Sequence, residues 1–174
     1  MSPDTPSHEA HRRQALADLG CIVITVSDSR DLDSDRSGSL IVSKLEEAGH
    51  RVIDRMILRD EAELIGEALS AAMSRKDCDA VLITGGTGLS PRDVTVPALE
   101  DFCDRLLPGF GEIFRMLSYE EIGAAAMLSR ASAGIRGGRA FFSMPGSTGA
   151  VKLAMDRLVV PEIGHLIREA RKSE

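Results

Sequence analysis

The chain has 174 residues, a length typical of one domain, and its 43% hydrophobic and 28% charged residues are usual for a globular protein. A net charge of −6, with no Trp and a single Tyr, argues against a nucleic-acid surface, which needs a basic face and stacking side chains. The apolar runs are all far shorter than the ~20 residues of a membrane-spanning helix, so a membrane-embedded protein is also not expected.

Residues 1–19 are predicted to form a polar N-terminal tail, and residues 20–174 a single domain. The tail mixes acidic and basic residues and has no apolar core. It therefore resembles neither a secretory signal nor a transit peptide, which is poor in acidic residues. We expect a cytoplasmic protein.

The three cysteines, Cys21, Cys78 and Cys103, show no CxxC spacing and lie among apolar or helix-forming neighbours. This pattern predicts buried free thiols. The four histidines are scattered without the spacing of metal ligands, so a zinc site is not expected.

Apolar runs and helical patterns alternate along the chain. Continuous β-branched runs predict buried strands at 21–26, 81–84 and 140–144, whereas the more alternating run at 51–58 suits a strand nearer the sheet edge. Helical spacing of apolar residues predicts helices at 41–48, ending at Gly49, at 64–73, at 150–158 behind Ser147, and from Pro161 onward. Strands that alternate with amphipathic helices indicate an α/β fold with a mostly parallel sheet and helices on both faces.

The segment 105–138 interrupts this alternation with one proline and several glycines. We interpret it as an insertion into the same domain, with a short helix and an extra hairpin. Its apolar side chains Phe110, Ile113, Phe114 and Met116 belong either to the core or to a subunit interface. The interface is the favoured interpretation, because apolar residues at the edge of an insertion need cover.

Polar and glycine-rich segments follow the predicted strands, at the edge where open α/β sheets bind ligands. Glycines let consecutive N–H groups approach a phosphate, and helix N-termini add unpaired donors. Each loop alone is explained by a turn or a helix cap, but together they predict an anion-binding pocket. The candidate residues are Ser27, Asp28, Ser37, Gly38, Gly85, Gly86, Thr87, Gly88, Pro145, Gly146 and Ser147.

Two aspartates, Asp60 and Asp93, are predicted at strand–helix junctions. They either cap the following helices or hold Mg²⁺ and exchange protons with a phosphate or hydroxyl group. The residues alone do not decide between these roles. Neither a P-loop nor a GxGxxG motif is present, which excludes the usual nucleotide-binding fingerprints.

Taken together, the motifs resemble the molybdenum-cofactor biosynthesis proteins of the MoaB/Mog type, a family whose domain also occurs in gephyrin. The motifs are TVSDS (25–29), DRSG (35–38), ITGGTGLSPRDVT (83–95), GFGEIFRMLSYEEIG (109–123), LSR (128–130) and MPGS (144–147). The resemblance extends from about residue 21 to residue 166 and is closer to the MoaB branch.

The resemblance implies a three-layer α/β sandwich that assembles as a trimer or hexamer. It also implies that the protein binds molybdopterin and transfers AMP from Mg-ATP to its terminal phosphate, before a MoeA-type molybdotransferase inserts molybdate. A molybdopterin carrier without catalysis is the alternative. A third hypothesis is action on pyridine-nucleotide pyrophosphates, as in the related CinA-type domains, although this chain shows no second domain.

By the same resemblance, Asp60 and Asp93 match the family's two essential aspartates and would bind magnesium and orient the reacting phosphates. The loop 85–88 and Ser147 would hold the pterin and its phosphate, and Ser27, Asp28 and Ser37 would line the pocket. Arg92 and Arg130 would neutralise phosphate, unless Arg130 only braces the insertion. The chain departs from the family pattern in two places, with Arg59 instead of Pro before Asp60 and with 96–97 as Val-Pro instead of Pro-Glu.

Overall fold

Strands and helices alternate along residues 16–172, the part of the chain that the computed structural model describes. The elements in chain order are β1 (Gly20–Val26), α1 (Arg36–Glu47), β2 (Arg51–Leu58), α2 (Ala62–Ser74), β3 (Ala80–Thr84), α3 (Thr95–Phe102), β4 (Arg105–Leu106), α4 (Pro108–Ile122), a 3₁₀ helix (Gly123–Leu128), β5 (Ser132–Arg136), β6 (Arg139–Met144), α5 (Thr148–Ala154), a π-helical turn (Met155–Val159) and α6 (Val160–Ala170).

The strands form a six-stranded sheet in the order β2-β1-β3-β6-β5-β4. The pairs β2–β1, β1–β3 and β3–β6 are parallel, whereas β5 pairs antiparallel with both β6 and β4. The sheet is therefore mostly parallel, which confirms the predicted fold class. As predicted from its alternating pattern, β2 lies at an edge.

Helices cover both faces of the sheet and create two separate apolar cores. One core packs α1, α4, α5 and α6 against alternate residues of the strands, and the other packs α2 and α3 against the opposite face. Because β1 and β3 contribute to both cores, every residue of these two strands is buried. The structure thus confirms the three-layer sandwich.

The strand order places a topological switch point between β1 and β3. The chain leaves β1 through α1 to reach β2 on one side, then returns through α2 to β3 on the other side, and the two helices pack on opposite faces. The register pairs Thr25 with Thr84, Thr84 with Met144 and Val26 with Leu58, so the four parallel strands end at one level. Open α/β sheets bind ligands in the crevice at such a point.

The extra hairpin predicted within the insertion was wrong in its place: β5 forms a hairpin with β6, which lies outside 105–138, and inside the insertion β5 pairs with β4, from which α4 separates it in sequence. The helix of the insertion is longer than predicted. α4 has 15 residues, begins at Pro108 and includes two glycines that suggested a break. Gly111 is required by packing rather than by a turn, because a Cβ there would lie 2.4 Å from the carbonyl oxygen of Ala131. Apolar residues on one face of α4 then hold the helix against the sheet.

The favoured assignment of all four apolar residues of α4 to a subunit interface was wrong for two of them. Phe110 and Phe114 are 6% and 0% exposed and belong to the core, where Phe110 packs edge-on against Phe142 at a ring distance of 5.4 Å. Ile113 and Met116 are 44% and 58% exposed. The spacing i, i+4 of the two phenylalanines aligns them on the buried face.

Residues 1–15 of the predicted tail lie outside the described residues, and Leu19, at its other end, packs into the first core.

Cys21 and Cys78 are buried free thiols as predicted, and Cys103 is half-buried. Burial raises the pKa of Cys21 to about 12 and that of Cys78 and Cys103 to about 11. Within residues 16–172, no helix has both the length and the apolar character needed to cross a membrane.

Candidate functional site

The predicted site residues gather at the crevice between β1 and β3, where the loops after β1, β2, β3 and β6 meet. Gly85 follows β3 and has a φ of +99°, and a Cβ there would lie 2.2 Å from the carbonyl oxygen of Val26 at the end of β1. Only glycine permits so close an approach with this backbone conformation. The loop after β3 is therefore pressed against the end of β1.

Asp28 connects the loops that follow β1, β2 and β3. One of its carboxylate oxygens accepts the N–H of Asp60 at 3.3 Å, and the other pairs with the guanidinium of Arg92 at 2.8 Å. The side chains of Asp28 and Arg92 are 45% and 81% exposed, so water screens this ion pair. This weak pairing leaves Arg92 free to exchange Asp28 for an anion.

Asp60 is less exposed than Asp28 and caps α3, a helix that is distant from it in sequence. Its Oδ1 accepts the N–H of Val94 at 3.1 Å, at the start of α3. The predicted alternative, in which each aspartate caps the helix that follows it, was wrong, since the N-cap positions of α2 and α3 are Glu61 and Val94. Burial raises the pKa of Asp60 above its ordinary value despite the Val94 bond, and the carboxylates of Asp93 and Asp28 add to the rise.

Asp93 is held inside the loop that joins β3 to α3. Its Oδ2 accepts the N–H of Ser90 at 3.0 Å, and its own N–H donates to the carbonyl of Ser90 at 2.9 Å. A Cβ on Gly88 would lie 2.8 Å from the same Oδ2. The missing side chain of Gly88 therefore makes room for the carboxylate.

Gly86 lies against Asp60 and Thr95 and cannot be replaced without strain. Its φ is +62°, and a Cβ there would lie 2.1 Å from the hydroxyl of Thr95 and 2.8 Å from both carboxylate oxygens of Asp60. Thr95 is fully buried, and no described residue is hydrogen-bonded to its hydroxyl. Within residues 16–172, no acceptor is hydrogen-bonded to the N–H of Gly86, Thr87 or Gly88, which leaves three consecutive donors for an anion.

A second wall of the pocket, which carries Ser37 and Ser147, is built from the start of α1 and the loop after β6. The hydroxyl of Ser37 donates to the carbonyl of Gly146 at 2.8 Å, and Ser147 caps α5 by accepting the N–H of Ala150 at 3.3 Å. The hydroxyl of Thr84 donates to the carbonyl of Pro145 at 3.2 Å. These bonds join the two walls of the pocket, and the hydroxyl hydrogen of Ser147 is still available to a ligand.

Asp35 is a buried anchor of this wall that the sequence analysis gave no role. Its carboxylate accepts the N–H of Gly38 at 2.9 Å, the hydroxyl of Thr25 at 2.7 Å and the guanidinium of Arg55 at 2.9 Å. Burial acts to raise the pKa of Asp35, but these three donors outweigh it and lower the pKa. Asp is a favoured N-cap residue, and Asp35 directly precedes α1, so this signal would have identified Asp35 as a cap.

Three of the predicted site residues, Ser27, Gly38 and Arg130, have structural partners within the protein. The hydroxyl of Ser27 accepts the N–H of Ser29 at 3.3 Å, which closes the turn after β1. Gly38 is buried, and a Cβ there would lie 2.1 Å from Asp35 Oδ2 and 2.7 Å from the hydroxyl of Thr25. The guanidinium of Arg130 lies on two carbonyl oxygens, those of Thr87 and Asp93, at 3.2 and 2.7 Å.

Magnesium fits this donor set only with ligands from a substrate. Among the described residues, no group of three or more His, Cys, Asp or Glu side chains could hold a metal ion. No described residue donates a hydrogen bond to Oδ2 of Asp60 or Oδ1 of Asp93, so each carboxylate has one oxygen to offer. One or two carboxylates completed by phosphate oxygens is a usual environment for Mg²⁺.

The fold and the pocket define a class: an α/β sandwich with a crevice at the carboxyl ends of parallel strands, which main-chain N–H groups and two carboxylates line. Residues 22–165 match the family model described as "Probable molybdopterin binding domain", and the chain belongs to this family.

Relatives of known name agree with this membership. The chain is 53% identical over 167 residues to molybdenum cofactor biosynthesis protein B of Halalkalibacterium halodurans, covering 95% of this chain and 98% of the relative. A crystal structure of a molybdenum cofactor biosynthesis protein B superposes with a TM-score of 0.89 at 46% identity, covering 92% and 100% of the two chains. The tungsten cofactor synthesizing protein MoaB of Pyrococcus furiosus superposes with a TM-score of 0.81 at 38% identity, covering 91% and 100%. The family assignment made from the motifs is confirmed, and it places the chain in molybdopterin-related biosynthesis.

Proposed function

We propose that the protein is a molybdopterin adenylyltransferase that uses Mg-ATP as co-substrate. A terminal phosphate oxygen of molybdopterin attacks the α-phosphorus of ATP, the bond to the β-phosphate breaks, and pyrophosphate leaves. The observation that carries the proposal is the placement of both carboxylates against the loop 86–88, with Asp60 close to Gly86 and Asp93 close to Gly88. Each carboxylate is fixed by one main-chain N–H and keeps one free oxygen.

The loop 85–88 supplies the binding site for the phosphates. The N–H groups of Gly86, Thr87 and Gly88 have no acceptor among the described residues, and consecutive unbonded N–H groups in a glycine-rich loop are what an anion-binding nest requires. Ser147, at the start of α5, adds a hydroxyl donor, and the exposed guanidinium of Arg92 adds a positive charge. This set binds the substrate phosphates and aligns them.

Asp60 and Asp93 act on the negative charge that accumulates where the phosphates of molybdopterin and ATP meet. With Mg²⁺ bound, the metal neutralises charge on the phosphate oxygens, and Asp60 and Asp93 are the side chains that would hold it. Phosphoryl-type transfers depend mainly on alignment and electrostatic stabilisation. The carboxylates therefore act by positioning charge, without a covalent intermediate on the protein.

The two departures from the family pattern leave this machinery in place. Arg59 is exposed and pairs with Glu61 at 3.4 Å, so a neighbouring carboxylate balances its charge and water screens it. Val96 is buried in the first turn of α3, and Pro97 is exposed. In the described part of the chain, none of these three residues is hydrogen-bonded to the carboxylate of Asp60 or Asp93.

The second candidate function is a molybdopterin carrier. It is supported by the unbonded N–H groups of Gly86, Thr87 and Gly88, which are donors for a pterin phosphate and need neither Mg²⁺ nor ATP. A carrier binds molybdopterin with an affinity that ATP does not change and releases it unmodified. The two functions are therefore separated by whether AMP appears on the product.

We also propose a cytoplasmic homo-oligomer, a trimer or hexamer, that passes its product to a MoeA-type molybdotransferase. The apolar side chains exposed on α4 and the 3₁₀ helix support contacts between subunits: Ile113, Met116, Tyr119, Ile122, Met127 and Leu128. Sedimentation equilibrium at several protein concentrations tests this assembly. A monomer at all concentrations would contradict it.

The test of the enzymatic proposal is AMP transfer by the Asp60→Ala and Asp93→Ala variants in a reconstituted assay with molybdopterin and Mg-ATP. We expect both variants to lose ~10²–10⁴-fold in rate. Asp33→Ala, which changes an exposed aspartate in the loop between β1 and α1, is the matched control and should keep full activity. Full activity in Asp93→Ala would refute the assigned role.

A further inference from the structure

Arg130 reaches from the insertion into the loop that carries Asp93. It is half-buried between the 3₁₀ helix and β5. Its Nε donates to the carbonyl of Thr87 at 3.2 Å, and a terminal nitrogen donates to the carbonyl of Asp93 at 2.7 Å. One guanidinium thus holds both ends of the segment 87–93.

The rest of this segment has little support of its own. The tip from Leu89 to Arg92 is exposed, and the hydrogen bonds of Asp93 to Ser90 stay inside the loop. The ion pair between Arg92 and Asp28 connects the tip to the loop after β1, but both side chains are largely exposed. The guanidinium of Arg130 is the more buried of these connections, so it has the larger influence on where the backbone of Asp93 lies.

The shape of the side chain matters as well as its charge. A guanidinium is a planar fork with fixed N–H directions, so it can bind two carbonyl oxygens at once in one geometry. A lysine ammonium carries the same charge on a flexible stem and does not fix two acceptors in this way. Since two of its nitrogens are held by the protein, Arg130 is also poorly placed to follow a substrate phosphate.

We infer that Arg130 is a positioning residue, which fixes the backbone at Thr87 and Asp93 and thereby directs the Asp93 carboxylate at the reacting phosphates. This inference rests on the proposed function, in which Asp93 acts on those phosphates. It replaces direct neutralisation of phosphate by Arg130 and gives the insertion a part in building the site.

The decisive variant is Arg130→Lys, which keeps the charge and removes the fork. We expect kcat for AMP transfer to fall ~100-fold, the loss that a displacement of about 1 Å can cause, while KM for molybdopterin and for ATP changes less than about 3-fold. Amide hydrogen exchange on the full-length protein should become at least ~10-fold faster in a peptide that covers 86–94. Exchange in β6 should stay unchanged.

Arg139→Lys is the matched control, because Arg139 also binds two carbonyls, those of Cys78 and Arg75 at 3.0 and 2.9 Å, at the opposite end of the sheet. It should leave kcat and exchange in 86–94 unchanged. A rise in KM with unchanged kcat in Arg130→Lys would show a phosphate ligand, and equal effects of the two variants would show a general structural role. Either result overturns the inference. If the wild-type protein transfers no AMP, the proposed function fails, and the exchange data still decide whether Arg130 holds the Asp93 loop.

Discussion

The carboxylate of Asp60 accepts the N–H of Val94 at 3.1 Å and so joins the end of β2 to the start of α3 across 34 residues of chain. One oxygen of this side chain therefore has a structural partner, while the other is open to the crevice. The two parts of its role can be separated by substitution.

Asp60→Asn keeps an oxygen that can accept the Val94 N–H but removes the charge. We expect the free energy of unfolding to change by less than about 1 kcal/mol, because the capping bond remains and a partly buried charge is lost. AMP transfer should fall at least ~100-fold. Denaturant unfolding and the transfer assay measure the two effects, and Asp60→Ala, which also loses the bond, should be less stable than Asp60→Asn. An active Asp60→Asn would show that Asp60 has only the structural role.

Gly86→Ala should be strongly destabilising and inactive. The new methyl group would lie 2.1 Å from the Thr95 hydroxyl and 2.8 Å from the Asp60 carboxylate, on a backbone with φ of +62°. We expect a loss of at least ~2 kcal/mol from strain and overpacking. Gly49→Ala is the matched control, since Gly49 has φ of +81° and no atom within 4 Å of the added Cβ. It isolates the cost of about 1–2 kcal/mol for a Cβ on left-handed backbone, and equal losses in the two variants would contradict the steric explanation for Gly86.

Asp35 should make the stability of the protein depend on pH in the acid range. Its pKa is lowered in the fold from the ordinary value of 3.8, so its contribution is fully present above that value and is lost as pH falls through the folded pKa. Asp35→Ala should cost about 3 kcal/mol at pH 7, because it leaves Arg55 without its carboxylate and α1 without its cap. The gap between wild type and variant should narrow below pH 4 in urea unfolding. A gap that is constant from pH 7 to pH 3 would exclude this ionised role.

Releasing Arg92 from Asp28 should favour substrate binding. The two side chains pair at 2.8 Å but are largely exposed, so Asp28→Asn should change stability by less than about 1 kcal/mol. With its partner neutral, Arg92 is available to phosphate, and we expect KM for ATP to fall about 3-fold at low salt, whereas Arg92→Ala should raise it about 10-fold. Because screening weakens exposed charges, both effects should shrink at high salt. A rise of KM in Asp28→Asn would instead assign Asp28 to substrate binding.

The sequence predicted the layers of the fold because periodicity reports directly on burial. The continuous runs at 21–26 and 81–84 became β1 and β3, which are covered on both faces, and the alternating run at 51–58 became the edge strand β2. The helix α4 was underestimated because Gly109 and Gly111 suggested a break. Gly111 is needed because the carbonyl oxygen of Ala131 lies where a Cβ would be. The local sequence does not reveal this tertiary contact.

The sequence predicted which loops meet at the end of the sheet, but not how their side chains are connected. Strand ends brought Asp28, Asp60 and the glycine loop together, as the parallel topology requires. The partners of Asp60 and Arg130 could not be predicted, since each lies more than 30 residues away along the chain. Asp60 was expected to cap the helix that follows it, α2, but it caps α3, which is distant in sequence. The packing of the loops determines which N–H group its carboxylate meets.

The most direct test of the account is incubation of the purified protein with molybdopterin and Mg-ATP, followed by mass spectrometry of the pterin product. We expect molybdopterin that carries one added AMP, formed together with pyrophosphate and dependent on Asp60 and Asp93. Unmodified molybdopterin, recovered bound to the protein in the presence of Mg-ATP, would contradict the enzyme and identify a carrier.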